Sequence, residues 1–517
     1  MDALIQLSSL DIAVIIAYFI LLGIIAYWSG FSKKNRSDNL FLANKSLGWL
    51  AIGLTMWGTN VGPSMLIANA SSGYESGIVA GNFSWYAFLF IFLLAFVFAP
   101  RYLGAEVTTL PEYMGKRFGD TSRRYIAWYT VVTTLISWLG LTLFSGGIFM
   151  AQILDLPLWL CIVLLVLVSA LFVITGGLKT IAYTNVFQML LLIGVSFLLV
   201  VLALHKIGGI GSVIEATPPT YWKLFQPLED KDFPWLAILL GYPVMGIWFW
   251  CTDQSMVQSV LGAKNLKEGQ KGANFVAWLK LIDIPLFILP GILAFILLPD
   301  LSNSTDAYLS LVQAVLPVGL TGLVVVVMLA ALISTIGSAL NSLSTVFTMD
   351  IIKRYKPDIE QKEIKKIGRI VVLTGAILSV FLAIGISSIR GLSFFNIFQS
   401  VLGFLAPPMA AAFLSAVLWK KTSRNAVNWV LSAGTLCSLG TGLLYYGNVV
   451  FQGIHYLYVS ALIFVILCLF LFLYSLFDKS DDTARLLDYR PVKVDRSVKI
   501  VWLVLILVMV MVYIIFN

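Results

Sequence analysis

Charge is scarce in this chain. Of its 517 residues, 12% are Asp, Glu, Lys or Arg and 59% are hydrophobic, and the mean hydropathy is +0.93. A soluble protein of this length would carry about a quarter charged residues, so a soluble globular domain is excluded. Histidine is scarcer still. His205 and His455 are the only two, and no His-Glu-x-x-His run occurs, which removes the usual basis for a catalytic zinc site. The cysteines are Cys161, Cys251, Cys437 and Cys468, all within apolar stretches and without Cys-x-x-Cys spacing. They read as small buried apolar residues rather than redox or metal groups. There is no Walker A loop, so ATP-driven work by this chain alone is not expected. No nucleophile–base set lies at depth, which disfavours a membrane enzyme. Residues 1–10 lack Lys and Arg, so a cleavable signal is not expected, and 11–29 reads as a retained helix.

What the chain does have is apolar runs of about twenty residues, the length a helix needs to cross a bilayer core of roughly 30 Å. About fourteen candidate spans follow: 11–29, 47–72, 79–100, 124–152, 157–175, 181–205, 234–258, 272–298, 318–350, 368–386, 393–418, 426–446, 455–477 and 499–516. Residues 1–517 therefore read as one all-α membrane domain. Lys33, Lys34, Arg36 and Lys45 follow the first span. If that loop faces the cytoplasm, so does every second loop, and those carry nearly all of the 34 basic residues. The opposite loops hold only Lys206, Lys223, Lys231 and Arg390, with Lys280 inside a span. This asymmetry places both termini on the extracytoplasmic side. It also accounts for the net charge of +8 without a nucleic-acid partner. The lipid bilayer is the expected surrounding.

Two spans look interrupted. The first holds Gly58-Thr59-Asn60-Val61-Gly62-Pro63-Ser64. In a helix interior Gly costs about 1 kcal/mol and Pro about 3, so the backbone should unwind here at mid-membrane. Its freed carbonyls must then be buried or line a wet cavity, and such carbonyls suit a hard cation such as Na⁺. The second holds Gly241-Tyr242-Pro243 near its outer end and Gly246 before an aromatic run. The two breaks occupy the same ordinal place in two five-span units, 47–205 and 234–418. A leading helix (11–29) and additional C-terminal helices (426–516) flank these units. Five spans being odd, the units would be inverted relative to each other. Paired interrupted helices in two inverted halves point to a transporter's binding site, although a single Gly/Pro-rich span can also be a simple kink.

Lys280 and Asp283 share a helix face within one span. They can neutralise each other for structure alone, or Lys280 can also reach a substrate hydroxyl. Asp253, near the inner end of its span, reads as structural. The span 318–350 carries Ser334-Thr335, Ser338, Asn341-Ser342, Ser344-Thr345 and Thr348. Many membrane hydroxyls bond back to their own helix; Ser334 and Thr335 are the better candidates for ion ligation.

Several further segments are specific in combination. They are Leu110-Pro111-Glu112-Tyr113, Gly176-Gly177-Leu178, Trp248-Phe249-Trp250-Cys251-Thr252-Asp253-Gln254, Leu279-Lys280-Leu281, Phe347-Thr348-Met349-Asp350 and Pro407-Pro408. With Thr59-Asn60-Val61-Gly62, they make the chain resemble the sodium/solute symporter family over about 46–425, and within it the sodium/glucose cotransporter branch. The resemblance implies a LeuT-type 5+5 inverted-repeat fold and sodium-coupled symport by alternating access in the plasma membrane. The family's core sodium site falls on the carbonyls of Gly58, Val61 and Ala331 and the hydroxyls of Ser334 and Thr335. A second sodium site in some members needs an aspartate where this chain has Asn185, and a hydroxyl where it has Gly337, so one Na⁺ per substrate is expected. Asn60, Trp250, Lys280 and Gln399 match the sugar-binding pattern. Ser84 stands where glucose and galactose carriers place a glutamate. Met65 and Phe249 occupy gate positions in place of Gln or His and of Tyr. A sugar or polyol is the expected solute. A monocarboxylate, vitamin or amino acid on the same fold, or a sodium-responsive sensor or partner subunit, are the competing readings.

Overall fold

The computed structural model describes residues 8–31, 40–317, 319–387, 394–478 and 494–517. Lys33, Lys34, Arg36, Arg390 and the basic residues of 479–493 lie outside them. Among the described residues all extended regular structure is helical, with two isolated β-bridges, Leu47–Ala263 and Gln226–Pro234. Eleven helical runs are long and apolar enough to cross a membrane, as expected of a multi-pass membrane protein. Three of the expected spans are not separate among these. Spans 157–175 and 181–205 join in one run, Leu158–Ile207. Span 79–100 continues from the half-helix before it, as Met65–Gly104. Span 393–418 is represented by the shorter apolar helix Leu402–Leu418.

Burial sorts these helices into centre and rim. Thr321–Tyr355 is central, with 94% of its apolar window buried, whereas Ser9–Ser29 has 22% and turns most of its surface outward. The leading helix nevertheless grips the central one. Asp11 is buried, and its Oδ1 accepts from the Gly322 N–H at 2.6 Å. That N–H is one of the orphan donors at the start of Thr321–Val346. Ser8 holds the other carboxylate oxygen through its N–H and its hydroxyl. At the opposite end, Arg123 pairs with the fully buried Asp350 at 2.7 Å and donates to the Met349 carbonyl at 3.1 Å.

The first predicted interruption is present and narrower than expected. Trp49–Asn60 is helical, Val61 (φ −84, ψ 103) and Gly62 (φ −114, ψ 164) are extended, and Pro63 opens the helix Pro63–Ser76. Proline belongs at a first helical position, where its missing N–H would be unpaired anyway. The second interruption lies elsewhere. Pro243 sits inside the continuous helix Trp235–Ile247. The Leu239 carbonyl, which Pro243 cannot satisfy, accepts from the Tyr86 hydroxyl at 3.4 Å. Gly241 serves close packing: a Cβ there would stand 2.3 Å from the Leu457 carbonyl oxygen. The chain leaves helical geometry only at Asp253 (φ −82, ψ 128), after a π-helical turn at Trp248–Thr252. Asp253 is buried. It caps Gln254–Leu261 by accepting from the Ser255 and Met256 N–H groups, and also accepts from Trp138 Nε1 at 3.1 Å.

Leu158–Ile207 is broken at one residue, Gly177 (φ 58, ψ −144). A Cβ at Gly177 would meet the Leu40 carbonyl oxygen at 2.1 Å, and the Leu178 N–H donates to that same oxygen at 2.9 Å. Only glycine tolerates both the dihedrals and the approach. The cysteine expectation needs one correction. All four thiols are free, and Cys161 and Cys251 are buried, but Cys437 is exposed and Cys468 half-buried. Cys437 lies on Thr435–Tyr446, a helix whose neighbouring Leu436 and Leu443 are also exposed, so apolar surroundings in sequence do not place it in the core.

Candidate functional site

The break at Val61–Gly62 leaves carbonyls without helical donors. Pro63 has no N–H, so the Thr59 carbonyl has no partner four residues on. The donor comes instead from the central helix: Thr335 Oγ1 lies 3.3 Å from the Thr59 carbonyl and 3.4 Å from the Gly58 carbonyl. Thr59 Oγ1 donates to Ser338 Oγ at 2.8 Å, pinning the same two helices one turn further along. Gly58 lets them approach, since a Cβ on it would lie 3.0 Å from Ser334 Oγ and 2.8 Å from Met189 Sδ. Ser334 Oγ is buried and has no hydrogen-bond partner among the described residues. Ala331 lies three and four positions before Ser334 and Thr335 on the same helix, hence on the same face. Val61 is fully buried at the break. Gly58, Val61, Ala331, Ser334 and Thr335 thus come from the two helices that meet here. A hydroxyl unsatisfied among the described residues, beside carbonyls held only by one shared Thr335 hydroxyl at 3.3–3.4 Å, is the donor set a hard, weakly held cation takes.

The hydroxyl run on the central helix divides as its partners dictate. Thr345 bonds back to the Asn341 carbonyl at 2.6 Å, while Ser344 crosses to the Gly368 carbonyl at 2.7 Å. Asn185 is buried, and neither polar atom of its amide has a partner among the described residues.

A second cluster adjoins the break. Lys280 Nζ donates to Asn60 Oδ1 and to Asp283 Oδ2, each at 2.5 Å. It lies 5.5 Å from the centroid of the Trp250 ring. Ser84 Oγ donates to Asp283 Oδ2 and Trp57 Nε1 to Asp283 Oδ1, both at 2.9 Å. Lys280 and Asp283 are 2% and 0% exposed, so their charges have left water as a pair. Asn60 is the member left partly exposed. The structure therefore brings together Asn60, Ser84, Trp250 and Lys280. The Gln399 side chain lies outside the described residues. Phe249 is half-buried between two rings, with centroids 5.1 Å from Trp250 and 5.5 Å from Trp138. Met65 is half-buried on the first turn of Pro63–Ser76 and packs on the main core; no contact of it with Phe249 is among those described.

Two members of this cluster were not among the candidates. Asp283 was legible as the helix neighbour of Lys280, three residues on. Trp57 carried no signal, because its role depends on a carboxylate 226 positions away.

The chain is similar over most of its length to known proteins. The chain is 31% identical over 525 residues to sodium/glucose cotransporter 1 of Ovis aries, a match covering 91% of this chain and 79% of that protein. It is 30% identical over 501 residues to sodium/myo-inositol cotransporter 2 of Homo sapiens, covering 88% and 74%. In fold it resembles a Na⁺-coupled sialic acid symporter solved in a substrate-bound outward-open state. That likeness has a TM-score of 0.78 at 20% identity and covers 92% of this chain and 99% of that one. The profile of the sodium:solute symporter family matches residues 40–434, more than half of the chain; the protein belongs to that family.

Proposed function

We propose that the protein is a sodium-coupled symporter that imports a small polar solute, a sugar or polyol, with one Na⁺ per substrate. Na⁺ is a co-substrate, held by the Gly58, Val61 and Ala331 carbonyls and the Ser334 and Thr335 hydroxyls. The solute sits among Asn60, Ser84, Trp250, Lys280 and Gln399, with Met65 and Phe249 as gates. The observation that carries this reading is the buried Ser334 hydroxyl, without a partner among the described residues, beside Gly58 on the helix whose last residue before the break, Asn60, holds Lys280. Ion and solute groups alternate along four residues, Gly58 to Val61. Ordering this segment by Na⁺ therefore orders Asn60 as well. The ion can drive transport only through its different affinities for the outward- and inward-facing states.

The architecture in this reading is the LeuT-type 5+5 inverted repeat, 47–205 and 234–418, with flanking helices and fourteen crossings. Fifty helical residues would extend about 75 Å, more than twice a bilayer core, so the interruption at Gly177 separates two crossings in Leu158–Ile207. Counting Leu402–Leu418 and parting the span 79–100 from its preceding half-helix completes the number. The protein lies in the plasma membrane with both termini extracytoplasmic, as the basic loops favour.

The test is uptake of labelled solutes into proteoliposomes under an inward Na⁺ gradient, with K⁺ in its place as the control. Accumulation of a hexose or polyol with Na⁺ alone is the expected result. Equal uptake in K⁺ would overturn it, and a Hill coefficient for Na⁺ near two would overturn the single-ion stoichiometry.

A further inference from the structure

We infer that Asp283 sets the solute specificity of this carrier by cancelling the charge of Lys280, so that the site takes uncharged polyhydroxy solutes and rejects carboxylates. The inference rests on the symport reading above. A lysine facing a binding site is by itself an attraction for an anionic solute. Here that attraction is met from within: Asp283 lies one helical turn from Lys280, and the two oppositely charged groups touch at 2.5 Å with both side chains out of water. An incoming carboxylate would have to displace Asp283 or add a second buried negative charge beside one ammonium, and both carry a large desolvation cost. An amine would meet Lys280 itself. A neutral solute meets neither obstacle.

The pair is also equipped to bind hydroxyls. Lys280 has three N–H donors, of which Asn60 and Asp283 take two. Among the described residues Asp283 Oδ1 accepts from Trp57 alone, so it keeps acceptor capacity, while Oδ2 accepts from Lys280 and Ser84. One donor and one acceptor side by side, next to the Trp250 ring face, match a pair of adjacent hydroxyls on an apolar ring. The position that sugar carriers of the resembled branch fill with glutamate is Ser84 here, and its hydroxyl touches the Asp283 carboxylate at 2.9 Å.

The experiment is Na⁺-driven uptake into proteoliposomes of labelled D-glucose, myo-inositol and L-lactate by the full chain, its Asp283→Asn and Asp283→Glu variants, and the Lys280→Gln/Asp283→Asn double variant. The wild type is expected to accept a neutral solute and to exclude lactate. Asp283→Asn keeps the shape and unmasks the ammonium, and should raise lactate uptake relative to the neutral solute by about tenfold or more. Asp283→Glu keeps the charge and should go on excluding lactate. The double variant restores neutrality and should exclude it again, which separates charge from packing even if Asp283→Asn folds poorly. A wild type that moves a neutral solute while Asp283→Asn leaves the ratio unchanged overturns this inference and leaves the symport reading standing. A wild type that moves lactate in preference to both neutral solutes overturns the proposed substrate class and the inference with it.

Discussion

Replacing Ser334 by alanine separates an ion ligand from a structural hydroxyl, because the structure gives this oxygen no other work. Its Oγ is buried without a hydrogen-bond partner among the described residues. Leaving a hydroxyl unsatisfied in the interior costs about 1–3 kcal/mol, so in K⁺ the Ser334→Ala protein should melt at or above the wild type. In Na⁺ that advantage should shrink, because the ion adds less stability to the variant than to the wild type. A ligand contact worth about 1.4 kcal/mol changes affinity about tenfold. At a Na⁺ concentration 100 times the wild-type Kd, the ion stabilises the wild type by about 2.7 kcal/mol and a tenfold weaker variant by about 1.4. The half-saturating Na⁺ concentration for uptake should rise by the same factor. Thr335→Val is the contrast. Its hydroxyl already donates to the Gly58 and Thr59 carbonyls, so its loss orphans buried acceptors and should lower the melting point in K⁺ as well as weakening Na⁺. Thermal unfolding of the purified protein across a NaCl-for-KCl series, paired with uptake, gives both readouts. If Ser334→Ala melts lower in K⁺ and keeps its full Na⁺-dependent shift, the hydroxyl is structural and the assignment of the sodium site is wrong.

Arg123→Met should destabilise the fold by about 3 kcal/mol, since it leaves the buried Asp350 carboxylate without its countercharge; a thermal midpoint equal to the wild type would contradict this. Gly177→Ala should abolish folded, Na⁺-responsive protein, because the new methyl meets the Leu40 carbonyl at 2.1 Å in a left-handed conformation; normal membrane yield with normal uptake would show that the turn tolerates a side chain. His455 should give an acid-sensitive component of stability. Burial holds its imidazole below the ordinary histidine range, and its Nδ1 accepts the Leu457 N–H at the start of Tyr456–Phe477. The neutral ring is therefore the folded form. Its contribution is complete above about pH 6.5 and fades as pH falls through the lower folded value. A melting profile between pH 7.5 and 5 that His455→Gln leaves unchanged would refute this.

The features legible in the sequence are those whose causes are local. Pro63 cannot donate to Thr59 in any fold, so the first break could be placed within a few residues. Lys280 and Asp283 are near each other on any helix. The second break was misplaced because Gly241 and Pro243 look alike in sequence, yet their reasons lie far away, in the Leu457 carbonyl and the Tyr86 hydroxyl. Asp253 carried the actual break while reading only as a structural acid near the inner end of its span. Gly177 read as part of a motif, but the atom that forbids a side chain there belongs to Leu40. Trp57 likewise gains its role only when two helices meet. Periodicity and composition report which stretches leave water. They do not report which carbonyl a glycine faces.

The placement of Lys280 and Asp283 on one helix has a bioenergetic consequence. Moving one elementary charge through a membrane potential costs about 2.3 kcal/mol per 100 mV. Opposite charges 2.5 Å apart on a single rigid element traverse the field together and do almost no net electrical work. Any rocking of that helix is then nearly voltage-independent on their account. In the proposed one-sodium cycle the electrical driving force then falls on the ion rather than on this pair, and each loaded turnover passes one charge as current.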